Sequence, residues 1–287
     1  MFKIEEVLFL DTETTGLPEK GAQWDVDFET YPHVVQIAWK FGDREKSYII
    51  RPDGWTIPDD VAEIHGITTE YATEVGKPFP FVVSRLLEDC RKAGLICGHN
   101  IHFDTSILKA NILRELGREY YDAFDVEESL HKGKRIDTMR SSMKWVDART
   151  MDGRLKFPNL TELYSRCFPG EVFPAHDALA DVGAVARCLP VLVEKELVKL
   201  ERKEYPDVAE EARKAGQSAA ASLDELSRAA KIASDVAKKL GVAPETDKNG
   251  ANPGLRQEDD KIHGSVVKAA PADFSEKITD LLNQSDF

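Results

Sequence analysis

Residues 6–16 read EVLFLDTETTG, so two acidic side chains end an unbroken apolar run. Such a run, without alternation, is typical of a central strand that is buried on both faces. Residues two apart in a strand point to the same face, so Asp11 and Glu13 project together while Thr12 points away. Two carboxylates on one face repel each other unless a cation lies between them. The polar residues that follow predict a loop at this end of the strand, where ligands usually bind.

The rest of the first 200 residues alternates between strand-like and helix-like segments. Three strands come first, and we expect them to form a meander. Later segments alternate a short buried strand with helices, which predicts an α/β fold with a mixed central sheet flanked by helices. The predicted strands are 6–11, 34–41, 46–51 and 95–97, and the predicted helices are 78–91, 103–116 (closed by a glycine), 138–146, a short helix from 159 and 178–199.

Composition divides the chain into three parts. Residues 1–200 are predicted to form the main domain, residues 201–241 a helical extension, and residues 242–287 a flexible linker and tail. The four cysteines lie far apart without a C-x-x-C pair, which argues against a zinc site and a disulfide framework. No run approaches the length of a membrane-spanning helix and the N-terminus is acidic, so we expect a cytoplasmic protein.

The formal net charge of −13 is unexpected for a protein that binds phosphates. The distribution of charge is more informative, because residues 131–156 contain eight basic and three acidic residues. This segment is either a solvated helix face or a surface that contacts phosphates.

Two further acidic motifs stand at predicted starts of helices. Residues 98–104 read GHNIHFD, directly after the short buried strand, and residues 176–181 read HDALAD. Asp104 falls near the first turn of its helix, where favourable interaction with the helix dipole is the alternative explanation. Asp181 is expected to project from the helix that follows its motif. Asp177 lies four residues before Asp181 and could share a helix face with it. His176 still belongs to the loop, so it is free to turn toward the carboxylates.

Taken together, D-T-E-T-T-G, H-N-x-x-F-D and H-x-A-x-x-D resemble, in this order, the three exonuclease motifs of the DEDDh family. That family includes proofreading subunits of DNA polymerases and enzymes similar to oligoribonuclease and RNase T. The resemblance covers roughly residues 5–195 and implies an RNase H-like exonuclease fold. It also implies a general-base role for His176. The metal ligands that it implies are Asp11, Glu13, Asp104 and Asp181.

The same resemblance implies several contacts with the substrate. His65, in the segment IHGIT, would help to form the substrate cleft. Leu17 and Ile67 would contact the terminal bases, although simple packing within loops is an equal alternative for both. Thr12 and Asn100 would also contact the substrate.

The implied activity is that of a metal-dependent 3′-to-5′ exonuclease that releases nucleoside 5′-monophosphates. Hard oxygen ligands suit two Mg²⁺ ions, for which Mn²⁺ can substitute. The substrate would be the 3′ end of a single strand, with DNA favoured over RNA in proofreading or repair. The alternatives are an exoribonuclease that trims RNA and a nucleic-acid-binding module without activity, since the motifs do not encode how the 2′-OH is read.

The end of the chain carries a short apolar stripe in an acidic setting. Residues 274–287 place Ile278, Leu281 and Leu282 at helical spacing. This stripe could dock on a partner such as a polymerase subunit or a sliding clamp, and the alternative is a frayed tail.

Overall fold

The structure is a computed structural model that describes residues 1–203. The strands are β1 (Val7–Thr14), β2 (Val34–Phe41), β3 (Arg44–Ile49), β4 (Leu95–Gly98) and β5 (Arg135–Asp137). The helices of the described residues are α1 (Asp59–His65), α2 (Thr69–Val75), α3 (Phe79–Lys92), α4 (Ile101–Ala123), α5 (Val126–Ser129), α6 (Thr138–Val146), α7 (Leu160–Cys167) and α8 (Ala178–Glu194).

The five strands form one mixed sheet in the order β3-β2-β1-β4-β5, with β1 at its centre. β1, β2 and β3 pair antiparallel as the predicted meander, while β4 and β5 run parallel to β1. The carboxyl ends of β1, β4 and β5 therefore meet at one edge of the sheet. The predicted mixed sheet flanked by helices is confirmed.

Alternation along β1 separates two apolar cores. Leu8 and Leu10 pack against α3 and α4 on one face, whereas Val7 and Phe9 pack against α7 and α8 on the other. Each of these side chains is almost fully buried, and burial of such a side chain stabilises a fold by about 1.5–3 kcal/mol. β1 is therefore a firmly held platform for the polar residues at its carboxyl end.

Capping side chains set the starts of the helices that follow the sheet. Asp137 accepts hydrogen bonds from the backbone N–H of Met139 and of Arg140, so α6 begins at its predicted residue. The capping box predicted from Asn159 and Glu162 is present at the start of α7.

Several boundaries differ from the sequence prediction. β1 continues through the acidic pair to Thr14, because pairing with β2 extends further than the apolar run. Helix α4 was expected to end before Gly117; that glycine instead interrupts the helical backbone with φ of 79°, and a further helical segment continues to Ala123. α8 ends at Glu194, five residues earlier than predicted. Helices α1, α2 and α5 and strand β5 were not predicted.

The chain remains attached to the domain just past the predicted boundary at residue 200, since the N–H of Lys203 donates to the carbonyl of Gly133. The predictions for residues 204–287, including the docking stripe, lie outside the described residues. The four cysteines are free. Among residues 1–203, no helix combines the length and apolar character needed to cross a membrane, and the cytoplasmic location stays a prediction.

Candidate active site

The acidic pair of the first motif lies within β1 at the carboxyl end of the strand. Asp11 lies opposite Ala38 of β2, and Glu13 lies opposite Gln36. The register shifts directly after Glu13, between it and Thr14. Both carboxylates are half-buried, so the central strand holds them at a point where the ladder becomes irregular and the loop begins.

Helix α8 adds a third carboxylate to this pair. Asp177 caps the helix, because its side chain accepts a hydrogen bond of 2.9 Å from the N–H of Ala180. Asp181 lies in the first turn and offers an oxygen that is within 4.8 Å of oxygens from Asp11 and Glu13. The two candidate acids of the third motif therefore have separate positions, one capping the helix and one joining the pair.

Asp104 is held beside the same strand by Thr12. It lies in the first turn of α4 and is 3% exposed. Its Oδ1 accepts hydrogen bonds from the backbone N–H of Thr12, at 3.0 Å, and from the Thr12 hydroxyl, at 2.8 Å. Thr12 itself is buried. The hydroxyl thus donates to Asp104, and the substrate contact of Thr12 stays a prediction.

Gly98 permits the close approach that brings α4 to β1. A side chain at this position would place its Cβ 2.9 Å from the carbonyl oxygen of Leu10 and 2.8 Å from Cδ1 of Ile101. Real Cβ atoms essentially never come that close to other atoms. The absence of a side chain therefore lets the strand that precedes Asp104 lie directly against the strand that carries Asp11.

The carboxylates destabilise one another's charged forms. Burial, followed by the charges of Asp104, Asp181 and Glu13, raises the pKa of Asp11 well above its usual range. Burial and neighbouring acids raise the pKa of Glu13 to about 7. Burial raises the pKa of Asp104 to about 7 against the hydrogen bonds from Thr12, and it raises the pKa of Asp181 to about 6. Positive charge from outside would therefore favour full ionisation of the group near neutral pH.

The donor set fits a divalent cation. Among residues 1–203, no ion pair with lysine or arginine reaches the four carboxylates. The Oδ1 atom of Asp181 is buried and has no hydrogen-bond partner in the described part of the chain. Carboxylate oxygens are the hard ligands that Mg²⁺, Mn²⁺ and Ca²⁺ prefer. Asp11, Glu13 and Asp181 can thus hold a metal ion, with Asp104 beside them.

His176 lies in the loop directly before the cap of α8. Its backbone adopts the left-handed conformation, with φ of 69°, and the residue is exposed. A hydrogen bond from the His176 backbone and the charge of its ring act to lower the pKa of Asp181, against the larger effect of burial. The loop therefore brings the histidine to the edge of the carboxylate group without burying it.

The two apolar residues expected to contact terminal bases have different surroundings. Leu17 is 82% exposed, just after the loop begins. Ile67 is buried in a small cluster with Val35, Ile57 and Ala72. Leu17 is therefore accessible to a ligand, while Ile67 packs against its neighbours, and the contact of either residue with terminal bases stays a prediction.

The remaining two predicted substrate residues stand at the ends of helices. His65 ends α1, and its Nδ1 accepts a hydrogen bond of 3.1 Å from the N–H of Ile67. Its Nε2 is buried without a hydrogen-bond partner among the described residues. Asn100 precedes α4 with φ of 68°, and its N–H donates to Asp137 at 3.2 Å. Both residues are held by the fold in defined positions near the end of the sheet.

His99 has an anchoring role that the sequence reasoning missed. Its Nδ1 lies 3.1 Å from the Thr138 hydroxyl and its Nε2 lies 2.9 Å from the carbonyl of Pro158. The ring therefore ties the second motif to the start of α6 and to the segment before α7. Its place in the motif GHNIHFD was visible in the sequence, but its partners are 39 and 59 residues away.

The basic segment between residues 131 and 156 is partly paired but stays net positive. Four of its eight basic residues pair with carboxylates, at 2.6–3.3 Å, and three of these pairs join residues two or three apart. The pairs are Arg140–Asp137, Arg149–Asp147, Arg154–Asp152 and Lys156–Glu162. Three of these acids belong to the segment itself, so only Glu162 reduces its excess of positive charge, from five to four. The Arg140 guanidinium also lies over the half-exposed ring of Phe157.

Comparison with known proteins agrees with this geometry. The family model described as Exonuclease, of the RNase T group, matches residues 8–189. No curated protein is significantly similar to the chain in sequence. Among solved structures, E. coli exonuclease I with a 5cy-dT13 oligonucleotide is 20% identical with a TM-score of 0.50, over 67% of this chain and 41% of that chain.

Two further exonuclease I structures give the same degree of similarity. A product-bound exonuclease I is 20% identical with a TM-score of 0.50, over 67% of this chain and 44% of that chain. A structure of SSB and exonuclease I with the inhibitor CFAM is 20% identical with a TM-score of 0.50, over 67% of this chain and 42% of that chain. The chain thus spans less than half the length of these proteins, and at this identity the similarity shows the fold alone.

The matched family segment runs from the second residue of β1 to the last turns of α8, so it contains all three acidic motifs and the sheet that positions them. The fold is the RNase H-like exonuclease fold. The chain belongs to the exonuclease family, and its motifs are those of the DEDDh type.

Proposed function

We propose that this protein is a divalent-metal-dependent 3′-to-5′ exonuclease that releases nucleoside 5′-monophosphates from DNA. Membership of the exonuclease family already makes it a nuclease that acts on nucleic acids. The observation that carries the finer proposal is the convergence of Asp11, Glu13 and Asp181 on one point. Asp104 lies beside them, and its charge raises the pKa of Asp11.

In the proposed mechanism the four carboxylates would hold two Mg²⁺ ions, for which Mn²⁺ can substitute. When bound, the ions would supply activation of a water for attack and stabilisation of the negative charge on the departing 3′ oxygen. Thr12 keeps Asp104 in place through two hydrogen bonds. Asp177 caps α8 and so fixes the first turn that presents Asp181.

His176 is proposed as the general base. The attacking water forms a bond to the terminal phosphorus while the bond from phosphorus to the 3′ oxygen breaks. The proton of the water passes to the His176 imidazole, and the departing 3′ oxygen takes a proton from solvent. An exposed histidine suits this step because it can exchange its proton with bulk water after each turnover.

The proposed substrate is the 3′ end of a single DNA strand. Leu17 is exposed directly after β1 and can contact the last base, while His65 and Asn100 form the edge of the cleft. One of the solved structures with this fold is a complex of exonuclease I with a DNA oligonucleotide, which supports DNA as the choice for this chain. RNA is the competing substrate.

A direct assay tests the proposal. Oligonucleotides of single-stranded DNA, duplex DNA and RNA, labelled at the 5′ or the 3′ end, are incubated with Mg²⁺, with Mn²⁺ or with chelator. We expect loss of the 3′ label as mononucleotide and stepwise shortening of the 5′-labelled strand, only with metal. Asp11→Asn serves as the inactive control. Internal cleavage, initial release of the 5′ label, or equal activity in chelator would contradict the proposal.

A protein partner on the terminal stripe rests on sequence alone. Exonuclease I has been solved together with SSB, and we extend the idea of a DNA-processing partner to residues 274–287 of this chain, with a polymerase subunit or clamp as the expected class. Truncation at residue 265 should leave hydrolysis intact and abolish capture by that partner. Unchanged capture would remove the stripe from consideration.

A further inference from the structure

A cavity of about 560 Å³ opens next to His33, the residue that precedes β2. Its walls come from the loop after β3, the start of α3, the last helical part of α4 before Gly117, and His33 at the entrance to β2. Cavities of about 300–1,000 Å³ are typical of small-molecule sites. None of the carboxylates of the active site lines this cavity, so it is a separate feature.

Backbone hydrogen bonds connect the rim of the cavity to the end of β1. The N–H of Thr15 donates to the carbonyl of His33 at 2.9 Å, and the N–H of His33 donates to the Thr15 hydroxyl at 2.9 Å. Thr15 follows Glu13 by two residues. Two extended residues and one inter-strand step span roughly 12 Å. A nucleic-acid strand bound at the carboxylates can therefore reach His33, at the edge of the cavity, within a few nucleotides.

The rim carries a preformed aromatic surface. The rings of His33 and Trp55 are stacked, with centroids 4.7 Å apart and planes inclined by 11°. A contact with Arg114 holds the His33 ring in place, because the Nδ1 atom of His33 lies 2.8 Å from Nη2 of Arg114. Since Arg114 also donates to the carbonyls of Phe28 and Tyr31, this stack is anchored to the body of the domain.

The charges around the cavity balance. Arg51 and Arg114 are matched by Asp53 and Glu115, so the lining is formally neutral. Arg114 is occupied by the hydrogen bonds just described. Arg51 is exposed, and no ion pair of its side chain is found within residues 1–203. Such a lining does not favour a phosphate, but it offers hydrogen-bond donors and acceptors around an aromatic platform.

We propose that this cavity is a nucleobase subsite, which takes an unpaired base of the bound strand a few nucleotides to the 5′ side of the scissile bond. The flat face of a base can stack on the rings of His33 and Trp55. Its edge groups can form hydrogen bonds with Arg51, Asp53 and Glu115. Base stacking on aromatic side chains tolerates every sequence, which suits an enzyme that degrades strands end to end. This inference rests on the proposed nuclease function.

Binding of oligonucleotides of graded length tests the subsite. Fluorescence anisotropy is measured in the presence of Ca²⁺ with 5′-labelled oligo-dT of two and of eight nucleotides. We expect Trp55→Ala to weaken binding of the longer strand by roughly 5- to 150-fold, the loss of one base–aromatic stack, and to leave the dinucleotide unchanged. Trp55→Phe should restore most of the affinity. Tyr71→Ala removes a more exposed ring that does not line the cavity and should have no effect.

An abasic scan locates the base. Strands with one abasic nucleotide at successive positions are bound by wild type and by Trp55→Ala. One position should lower the affinity of wild type and abolish the difference between the two proteins. Arg51→Ala, whose side chain is exposed, should weaken the longer strand only, in a protein with unchanged thermal stability.

Free dAMP tests whether the cavity binds a base of a nucleic-acid strand or a free nucleotide. We expect dAMP in the millimolar range not to displace the longer strand from this cavity. The subsite proposal would be overturned if a substitution weakened binding of both oligonucleotide lengths equally, or if neither Trp55→Ala nor Arg51→Ala weakened binding of the longer strand. It would also be overturned if dAMP bound in the cavity while the substitutions had no effect on strand binding. The nuclease proposal fails separately, if wild type does not hydrolyse the dinucleotide or any longer strand.

Discussion

Asp89 and Asp104 are buried to nearly the same degree, at 2% and 3% exposure, yet they lie in opposite electrostatic environments. Asp89 accepts hydrogen bonds from Nε1 of Trp39 and Nζ of Lys46, both at 2.9 Å, and pairs with Arg44 at 3.3 Å. Burial acts to raise its pKa, but these partners together hold the pKa below its usual range.

Asp104 has hydrogen bonds from Thr12 but no lysine or arginine partner among residues 1–203, and burial raises its pKa to about 7. The comparison shows that this fold balances a buried carboxylate with its own lysine and arginine where the role is structural. At the carboxyl end of β1 it gathers carboxylates without such partners. The missing charge is the reason to assign a divalent cation to one region and none to the other.

The largest expected difference between the regions is in activity. Removal of one carboxylate by Asp11→Asn should lower the turnover of DNA by at least roughly 10³-fold, because metal ligation supplies several kcal/mol of transition-state stabilisation. Asp89→Asn should change turnover by only a few fold. The measurement is steady-state hydrolysis at saturating Mg²⁺, and comparable losses in the two variants would erase the distinction.

His176 separates proton transfer from metal binding within the same region. His176→Ala should lower turnover by roughly 10²- to 10⁴-fold, the usual range for a general base. It should leave the affinity for Mn²⁺ within a few fold, because the residue is not among the proposed ligands. Turnover close to wild type, or a parallel loss of Mn²⁺ binding, would show that the role is assigned wrongly.

Thr12 tests whether the position of Asp104 matters as much as its charge. Thr12→Val removes the hydroxyl donor at nearly constant volume and should weaken the affinity for Mn²⁺ or activity by roughly 10- to 100-fold, as loss of groups that orient metal ligands does. Thr12→Ser should restore most of it. A Thr12→Val protein with unchanged metal affinity would show that the backbone N–H alone suffices.

The smallest effects are expected in stability, and they should have opposite signs. Asp89→Asn should lower the free energy of unfolding by about 1–3 kcal/mol, since hydrogen-bonded charge partners lose their anion. Asp11→Asn should raise the stability of the metal-free protein, because repulsion decreases. Chemical denaturation with chelator present measures both, and destabilisation by Asp11→Asn would contradict the electrostatic account.

The pH dependence of the same measurement follows from the pKa directions. In the folded state Glu13, Asp104 and Asp181 have pKa values of about 7, 7 and 6, so between about pH 4 and 7 the folded protein keeps protons that the unfolded chain releases. Their contribution to stability therefore falls as pH rises through this window. Asp89 has the opposite sign, and its contribution is lost only as pH falls through its lowered pKa.

Much of the fold was readable from the sequence because its signals are local. The apolar run before Asp11 predicted the central strand, and the capping box of Asn159 and Glu162 predicted the start of α7. Helices α1 and α2 were missed because each has only seven residues and a short amphipathic pattern. β5 was missed because three residues carry no period.

The active-site residues likewise divide into those that local sequence motifs identify and contacts that no local pattern predicts. The motifs identified the carboxylates, since their residue types and order are specific. The hydrogen bonds from Thr12 to Asp104 join residues 92 positions apart, and no local pattern encodes such a contact. The cap formed by Asp177 could have been recognised, because an aspartate that precedes a helix by one residue is a favoured N-cap.

Equilibrium binding of Mn²⁺, measured by calorimetry on wild type, Asp11→Asn and Asp89→Asn, tests the central assignment most directly. The account predicts that wild type and Asp89→Asn bind Mn²⁺ with similar affinity and release protons on binding, because the carboxylates with raised pKa values must ionise. It predicts that Asp11→Asn loses this binding. Unchanged Mn²⁺ binding in Asp11→Asn would contradict the claim that the four carboxylates form a binding site for a divalent cation.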